Sequence, residues 1–396
     1  MENNYIVLRS NRSATRDAFF GPSALPDVLE TAYPELQAEV NTLERSQVAD
    51  LNHDRDVVAI APAMPMKLIA PVGEAKSLDP GAAKMTWGVE AVKANTSPYT
   101  GAGIIVAVLD TGIDAKHPAF KGVKLIQKDF TKEGNGDREG HGTHCAGTIF
   151  GREVNGLRIG VAPGVEKALI GKVLGRAGGS SDQIANAILW AVDNGANVIS
   201  MSLGIDFPGY VAWLIAEQKM PAEIATSIAL EGYRANVQLF QTLAAYTEAR
   251  SALAQAAVIV AAAGNESQRD VNPEWEIAVA PPAVSKGIIS VAALGESADG
   301  LTVAPFSNTG ANIAGPGVDV MSAAIGGGLV AYSGTSMATP HVAGVAALWA
   351  EKLKQTGRLN SLALTSRVIA SAIDDGLKAG FDPVDVGTGL IQAPQV

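Results

Sequence analysis

The sequence predicts an α/β protein built on a doubly wound, mostly parallel sheet and preceded by a small α+β domain. Two observations support this prediction. From Trp87 onward, short apolar runs rich in β-branched residues alternate with helical stretches, and strands that are apolar on both faces are typical of buried parallel sheets. Before Trp87 this alternation is missing. We therefore divide the chain into a domain at residues 1–75, a linker at 76–86 and a main domain at 87–396.

The N-terminal domain gives weaker signals than the rest of the chain. Residues 5–8 predict a short strand, and residues 28–44 have mixed helical spacing. Residues 57–62 and 66–69 are apolar and closely spaced, so we expect them to pair as a hairpin. A small domain containing both strands and a helix follows from these patterns.

Five apolar runs predict the strands of the main domain. They lie at residues 104–109, 168–173, 198–201, 258–263 and 288–292, with helices between them, notably at 182–194. Ligands of doubly wound sheets bind beyond the carboxyl ends of the strands. This rule places Asp110, Asn265 and the stretch Ser202-Leu203-Gly204 at one edge of the sheet.

Residues 205–257 form a long segment of helical composition that begins at that same edge of the sheet. Helical spacing is clearest at residues 224–230 and 239–256. The segment either lies over the cleft and restricts substrates or forms additional surface. Both readings stay open.

An alanine-rich, almost wholly apolar run follows Thr335 and Ser336 and predicts a buried helix. Both residues are good helix starters, and Pro340 is tolerated in the first turn. A hydroxyl at such a helix start lies where unpaired backbone N–H groups and the helix dipole favour negative charge. Ser336 could simply cap the helix, but two other segments supply the partners of a nucleophilic serine.

A nucleophilic serine needs an imidazole to take its proton and a carboxylate to orient that imidazole. Asp110 lies in the segment VLDTGID, and His141 lies among small residues in GHGTHCAG, which suggests another helix start. The order Asp, His, Ser is one of the convergent orders in which this triad occurs along a chain. Asp110, His141 and Ser336 therefore predict a hydrolase that forms an acyl-enzyme.

The segments around these three residues and Asn265 resemble the subtilisin-like serine proteases, the subtilases. The similarity runs from about Trp87 to Ile391 and includes the segment AAGN that ends at Asn265. It implies a subtilisin-like fold and a serine endopeptidase that is made as a self-processed precursor. It also implies roles: Ser336 as nucleophile, His141 as general base and then acid, and Asp110 as orienting carboxylate. The side-chain amide of Asn265 would form the oxyanion hole with the backbone N–H of Ser336.

The resemblance also implies a substrate cleft. The residues expected to bind substrate are Ser202, Leu203, Gly204, Gly178, Ala263, Gly264 and Ala280. The first three match the family's extended strand that pairs with substrate backbone, and Gly178 lies in the segment matching the opposite wall. Ala280 falls at the base of the pocket for the residue before the cut bond, which implies a roomy, apolar pocket.

Two departures from the family limit what can be carried over. Ile205 replaces a second glycine after Ser-Leu-Gly, which leaves the substrate specificity open. Ala119 stands where calcium-binding relatives have an aspartate, and residues 152–159 are shorter than the family's calcium loop. Calcium needs six to eight oxygen ligands. The sequence therefore does not support a structural calcium, and the chemistry itself needs no cofactor or metal.

Residues 1–75 resemble, in size and place, the propeptide of exported subtilases, which assists folding and blocks the cleft. We expect peptide or protein substrates, with the chain's own N-terminal segment as an intramolecular inhibitor. Self-cleavage is expected between Ala70 and Lys84. A dedicated maturation protease for one peptide, a general degradative protease and a non-hydrolytic peptide-binding protein remain as alternatives.

Composition bounds the partners and the compartment. The chain has 396 residues, of which 47% are apolar and 18% charged, as in globular proteins. A net charge of −10 argues against nucleic-acid partners, and no run has the length of a membrane span. Cys145 is the single cysteine, so an internal disulfide is excluded. No signal peptide is visible. The compartment stays unknown, with the cytoplasm favoured over non-classical export or a secreted chain trimmed of its signal.

Other chemistries fit the sequence less well. Asp110-Thr111-Gly112 is also the triplet of aspartic proteases, but that mechanism needs two such carboxylates and only one is present. His141 and His144 could form a zinc pair, yet the sequence offers neither an H-E-x-x-H motif nor a third ligand. We interpret Cys145 as a buried, inert thiol.

Overall fold

The computed structural model describes residues 3–10, 35–79, 81–252 and 255–395. Its strands are β1 (Asn3–Ser10), β2 (Leu36–Leu43), β3 (Val57–Pro62), β4 (Pro65–Leu68), β5 (Ile105–Asp110), β6 (Lys124–Asp129), β7 (Lys167–Lys172), β8 (Gly179–Ser180), β9 (Val198–Met201), β10 (Leu203–Ile205), β11 (Val258–Ala262), β12 (Ile288–Ser297), β13 (Gly300–Val303), β14 (Ile313–Pro316), β15 (Val320–Ala324) and β16 (Gly328–Tyr332). Its helices are α1 (Arg45–Leu51), α2 (Trp87–Ala91), α3 (His141–Phe150), α4 (Ser181–Asp193), α5 (Phe207–Ala216), α6 (Ala222–Ala249), α7 (Thr335–Gln355), α8 (Ser361–Ala370) and α9 (Pro383–Val386).

An eight-stranded sheet with the order β13-β12-β11-β9-β5-β7-β6 forms the centre of the protein, and β14 pairs with β12. All neighbours in it are parallel except the edge pair β12 and β13. Strand β5 shows why: its residues Val106 to Leu109 are at most 1% exposed, so both faces of the strand are covered. The predicted α/β fold with a mostly parallel sheet is confirmed.

Helix α7 is the central helix of the fold. It packs on strands β9, β11, β12 and β14 and on helix α3, and its residues from Thr335 to Leu348 are all buried. Small residues allow this close packing, since a Cβ atom at Gly344 would lie 2.6 Å from the Cβ atom of Val161. Among the described helices, none combines the length and the apolar character needed to cross a membrane.

The N-terminal domain differs in part from the sequence prediction. Strand β1 lies between β2 and β3, antiparallel to both. The helical spacing predicted for residues 28–44 is wrong at 36–43, which form β2, and residues 28–34 lie outside the described residues. The reason is tertiary: β2 pairs over eight residues with β1, and such pairing overrides a mixed local preference. The predicted boundary with the linker stays a prediction.

The predicted hairpin between residues 57–62 and 66–69 is also wrong. Strand β3 pairs with β1, whereas β4 leaves the domain and pairs antiparallel with both β10 and β8. Met64 anchors the departing chain, because its N–H donates to Ser181 Oγ (3.0 Å) and its carbonyl accepts from Ser181 N–H (3.0 Å). Strand β4 therefore belongs to the sheet edge of the main domain.

The segment at residues 205–257 forms helices α5 and α6, and the two predicted helical stretches belong largely to the single 28-residue helix α6. Helix α6 packs against β3. Asn236 Nδ2 donates to the Pro62 carbonyl at 2.8 Å, and Gly232 leaves space for the Met64 side chain. This segment therefore contacts the N-terminal domain.

Candidate active site

Asp110 and His141 meet at the carboxyl edge of the sheet. Asp110 is the last residue of β5 and His141 the first of α3, and both are almost completely buried. His141 Nδ1 donates to Asp110 Oδ1 at 2.8 Å. This bond fixes the tautomer and leaves Nε2 as the free nitrogen, which has no hydrogen-bond partner among the described residues.

The surroundings of His141 make its imidazole a stronger base than usual. Burial by itself lowers the pKa of His141, but the neighbouring groups, Asp110 first among them, together raise that pKa well above the ordinary value of 6.5. Burial also raises the pKa of the Cys145 thiol, which therefore stays neutral. Asp110 is the charge that acts on His141.

Ser336 lies in the first turn of α7 and is completely buried. Cys145 Sγ lies between the two candidate residues, 3.4 Å from the Ser336 carbonyl oxygen and 3.8 Å from His141 Nδ1. The Ser336 hydroxyl donates its proton to the carbonyl oxygen of Ile69 at 2.6 Å. Its hydrogen bond therefore goes to the N-terminal segment in this state.

Asn265 is oriented by the start of the same helix. Its Oδ1 accepts from the N–H and the hydroxyl of Thr335, both at 2.8 Å. Since the oxygen is engaged, the amide nitrogen must point the other way. It donates to the carbonyl of Ala70 at 2.9 Å. The structure thus places the Asn265 donor and the Ser336 hydroxyl on consecutive carbonyl groups of one strand.

The predicted cleft walls lie on either side of β4. Its residues Leu68, Lys67 and Met66 pair with Leu203, Gly204 and Ile205 of β10. Ile69 N–H donates to the Ser202 carbonyl at 3.3 Å, and Met66 pairs with Gly179 of the opposite wall. Gly178 has a φ of +82°, and a Cβ atom there would lie 2.7 Å from the Met66 carbonyl oxygen. Only glycine allows this approach.

The residues predicted to line the pocket also lie together. Ala280 N–H donates to the Ala263 carbonyl at 3.2 Å. Gly264 follows Ala263 with a φ of +118°. The Ile69 side chain lies 3.7 Å from the point where a Cβ atom of Gly204 would be. The side chain of Ile69, whose carbonyl accepts from the Ser336 hydroxyl, thus lies next to Gly204 of β10.

Asp137 is a residue of the site that sequence reasoning missed. One of its oxygens accepts from Thr111 Oγ1 (2.9 Å) and Gly140 N–H (2.9 Å), and the other accepts from Thr143 N–H (2.9 Å) and Oγ1 (2.6 Å). It therefore ties the residue after Asp110 to the first turn of α3, which starts at His141. An aspartate four residues before His141, at a helix start, is the signal that points to it.

The geometry does not favour metal ligation by His141 with His144. His144 Nε2 is engaged with the Val320 carbonyl at 2.9 Å, and burial lowers the pKa of His144 to about 3. In the described part of the chain, the ligand atoms of Asp110, His141 and Cys145 do lie within 4.8 Å of one another. Two of these groups are already bonded to each other and the thiol is neutral, so the arrangement suits proton transfer better than metal binding.

Comparison with known proteins identifies similar chains. Residues 101–383 match the family described as the subtilase family. The intracellular serine protease of Paenibacillus polymyxa is 33% identical, over 77% of this chain and 84% of the relative. The alkaline protease of Alkalihalobacillus alcalophilus is 32% identical, over 80% of this chain and 72% of the relative. Subtilisin E of Bacillus subtilis is 33% identical, over 67% of this chain and 61% of the relative.

Replacing Asp110 should lower the pKa of His141. In Ser336→Ala chains, which we expect not to turn over, NMR titration of His141 should give a pKa above 6.5, and the added change Asp110→Asn should lower it. Because the raised pKa stabilises the folded state, its contribution is complete below pH 6.5 and is lost as the pH rises through the folded value. His341, whose pKa burial lowers to about 4, is the internal control. An unchanged His141 pKa in the Asp110→Asn chain would contradict this account.

Asp137→Asn should reduce turnover by misplacing His141. Losing the charged acceptor of Thr143 loosens the start of α3, so we expect kcat to fall about 10- to 100-fold with KM nearly unchanged. Glu153→Gln, a change of an exposed acid just after α3, is the matched control. Steady-state kinetics on one peptide substrate measures both. If thermal stability fell while kcat stayed the same, Asp137 would act only on folding.

Proposed function

The chain belongs to the subtilase family and is a serine endopeptidase, and from this premise we propose how its own residues carry out the reaction. Ser336 is the nucleophile, His141 the general base and acid, Asp110 the orienting carboxylate, and Asn265 a donor of the oxyanion hole. One observation carries the proposal. The His141–Asp110 pair, bonded at 2.8 Å, is linked through Cys145 to the backbone of Ser336, and both Ser336 and Asn265 donate hydrogen bonds to the peptide segment that follows β4.

The first step is attack of Ser336 Oγ on the carbonyl carbon of the bond to be cut. The hydroxyl proton passes to His141 Nε2, which is free to accept it. Asp110 then stabilises the imidazolium that forms, without taking a proton itself. The raised pKa of His141 favours this proton transfer because it makes the imidazole a better acceptor.

The tetrahedral intermediate carries its negative charge on the former carbonyl oxygen. The Asn265 amide and the backbone N–H of Ser336, at the start of α7, are the donors proposed for that oxygen. Thr335 fixes the direction of the Asn265 amide in advance, so it needs no reorientation during the reaction. Losing one such donor costs about 10²–10³ in turnover, a figure measured on a member of this family.

The acyl-enzyme forms when His141 returns the proton to the leaving amine. A water molecule then enters, and His141 removes its proton so that the ester to Ser336 is hydrolysed. No cofactor takes part in these steps. Strand β10 and Gly178 are proposed to hold the substrate as an added strand between two walls, as β4 is held here.

We further propose that the N-terminal segment is an intramolecular inhibitor. Strand β4 fills the cleft, and the chain beyond it is held as well, because Val72 N–H donates to the Ser333 carbonyl at 2.7 Å. The Ser336 hydroxyl donates its proton to the Ile69 carbonyl. Asn265 donates to the next carbonyl, that of Ala70. Ser336 and Asn265 thus donate hydrogen bonds to different peptide groups, an arrangement that suits binding without rapid cleavage.

If the precursor cuts itself, the bond between Ile69 and Ala70 is the best candidate. The Ile69 carbonyl is the one that Ser336 contacts, and Ile69 N–H binds the Ser202 carbonyl. This site lies one bond before the range of residues 70–84 expected from the sequence. A small shift of the strand would bring the same carbonyl under the Asn265 amide.

Peptides or proteins in extended form are the proposed substrates. We place the enzyme in the cytoplasm, a proposal supported by the name of the Paenibacillus polymyxa relative, an intracellular serine protease. A dedicated maturation protease for one peptide is the second candidate. Helix α6 contacts the N-terminal domain, so its surface can bind a polypeptide. This contact supports the second candidate.

Ser336→Ala should abolish peptide hydrolysis and leave the chain at full length. Asn265→Ala should keep Ser336 reactive but lower kcat about 10²–10³-fold. Intact-mass spectrometry over time and a casein assay measure the two effects, with Ser371→Ala at the end of α8 as the control that keeps full activity. Hydrolysis at the normal rate by Ser336→Ala would overturn the proposed mechanism.

A further inference from the structure

Lys67 of the strand in the cleft lies between two carboxylates of the main domain. Its Nζ is 3.4 Å from Asp206 Oδ1 and 3.4 Å from Glu266 Oε1. The three side chains are between 34% and 38% exposed, so the contact lies at the rim of the cleft where a substrate side chain can enter. The N-terminal segment thus presents a cation to a pair of acids in the cleft.

Asp206 is held in place from two directions. Its carboxylate caps α5 by accepting from Gly209 N–H at 3.3 Å. Its own N–H donates to the Pro65 carbonyl of β4 at 3.1 Å. The acid therefore lies where the segment at residues 205–257 leaves β10, next to the strand that occupies the cleft. The bond from Gly209 lies within the main domain and does not involve β4.

Glu266 is fixed by a buried amide. Asn308, which is 0% exposed, donates from Nδ2 to Glu266 Oε2 at 2.8 Å and accepts from Glu266 N–H at 3.0 Å. One carboxylate oxygen is therefore engaged, and the other, Oε1, faces Lys67. Because Glu266 follows Asn265 directly in the chain, this acid has a fixed distance from the proposed oxyanion hole.

The pairing register tells which substrate residue the two acids would face. Lys67 pairs with Gly204, and Ile69, two residues later, carries the carbonyl that Ser336 contacts. Counting back from the bond after Ile69, Lys67 is the third residue before the cut. A substrate that adds to β10 in the same register places its own third residue between Asp206 and Glu266.

We propose that Asp206 and Glu266 form a cation subsite that selects Lys or Arg at the third residue before the cut bond. The inference rests on the proposed function, since it uses the same cleft and the same nucleophile. Asp206, the first acidic residue of the segment at residues 205–257, then gives that segment a role in substrate specificity. The N-terminal strand then inhibits because Lys67 occupies the subsite that would bind the corresponding side chain of a substrate.

The size of the preference follows from the exposure of the ion pairs. Partly exposed pairs contribute little each and are screened by salt. Two of them together should give a preference of about 3- to 30-fold in kcat/KM for Lys over Gln. Arg should equal or exceed Lys, because its guanidinium can bridge two carboxylates. Glu at the same place should be disfavoured below Gln.

The test uses the enzyme after self-cleavage and four fluorogenic amides that carry residues 65–69 before a fluorescent leaving group, with Lys, Arg, Gln or Glu at the place of Lys67. These amides omit Ala70, whose carbonyl accepts from the Asn265 amide in the uncut chain. We expect kcat/KM to follow the order Arg and Lys, then Gln, then Glu. The Lys-to-Gln ratio should shrink toward one in 1 M salt. Asp206→Asn and Glu266→Gln should each reduce that ratio, and the double variant should bring it to about one.

Glu217→Gln, an exposed acid just after α5, is the matched control and should keep the ratio of the unmodified enzyme. Equal hydrolysis of all four peptides, or a ratio unaffected by salt and by the double variant, would overturn the subsite while leaving the proposed function intact. Hydrolysis of none of the peptides would contradict the proposed function and the subsite with it.

Discussion

The buried hydrogen bond between His141 and Asp110 is the constraint around which the site is arranged. A carboxylate that is 1% exposed is costly unless charge and hydrogen bonds compensate it. Asp110 Oδ1 receives His141 Nδ1 at 2.8 Å and the N–H of Thr111 at 2.7 Å, while Oδ2 has no partner among the described residues. The pair persists because β5 and α3 are locked on either side of it, through the bonds that Asp137 makes to Thr111 and Thr143.

The same sheet edge explains why the chain can bind its own N-terminal segment. Strands β10 and β8 pair with β4 from opposite sides, so an extended peptide in that place gains hydrogen bonds on both sides. Strand β4 takes this place, and Met64 and Asn236 tie its start to α4 and α6. In the proposed mechanism, inhibition and substrate binding are one mode of recognition. They differ in the carbonyl groups that are contacted. In a substrate one carbonyl group would contact both Ser336 and the Asn265 amide, whereas in the N-terminal segment two consecutive carbonyl groups do.

Most of the sheet and the helices beside it could be predicted from sequence because their burial is continuous. The run that forms β5 and the run that forms α7 are apolar on every side, and the polar residues Asp110 and Ser336 stand at their ends. Prediction failed where partners are distant in the chain. Strand β2 depends on its pairing with β1, and β4 pairs with β10 some 135 positions away, as Leu68 and Leu203 show. Asp137 escaped notice because an aspartate before a helix looks like any other turn residue until its hydrogen bonds to Thr111 and Thr143 are seen.

The reactivity of Ser336 before and after removal of the N-terminal segment tests whether Ser336 is the nucleophile and whether that segment blocks it. A fluorophosphonate labels an activated serine, so its rate of attachment, located by peptide mass spectrometry, reports both the nucleophile and its access. The account predicts slow labelling of Ser336 while Ile69 holds its hydroxyl, and labelling at least tenfold faster once the chain is cut after Ile69 and the strand has left. Equal rates in the two forms, or attachment to a different residue, would contradict it.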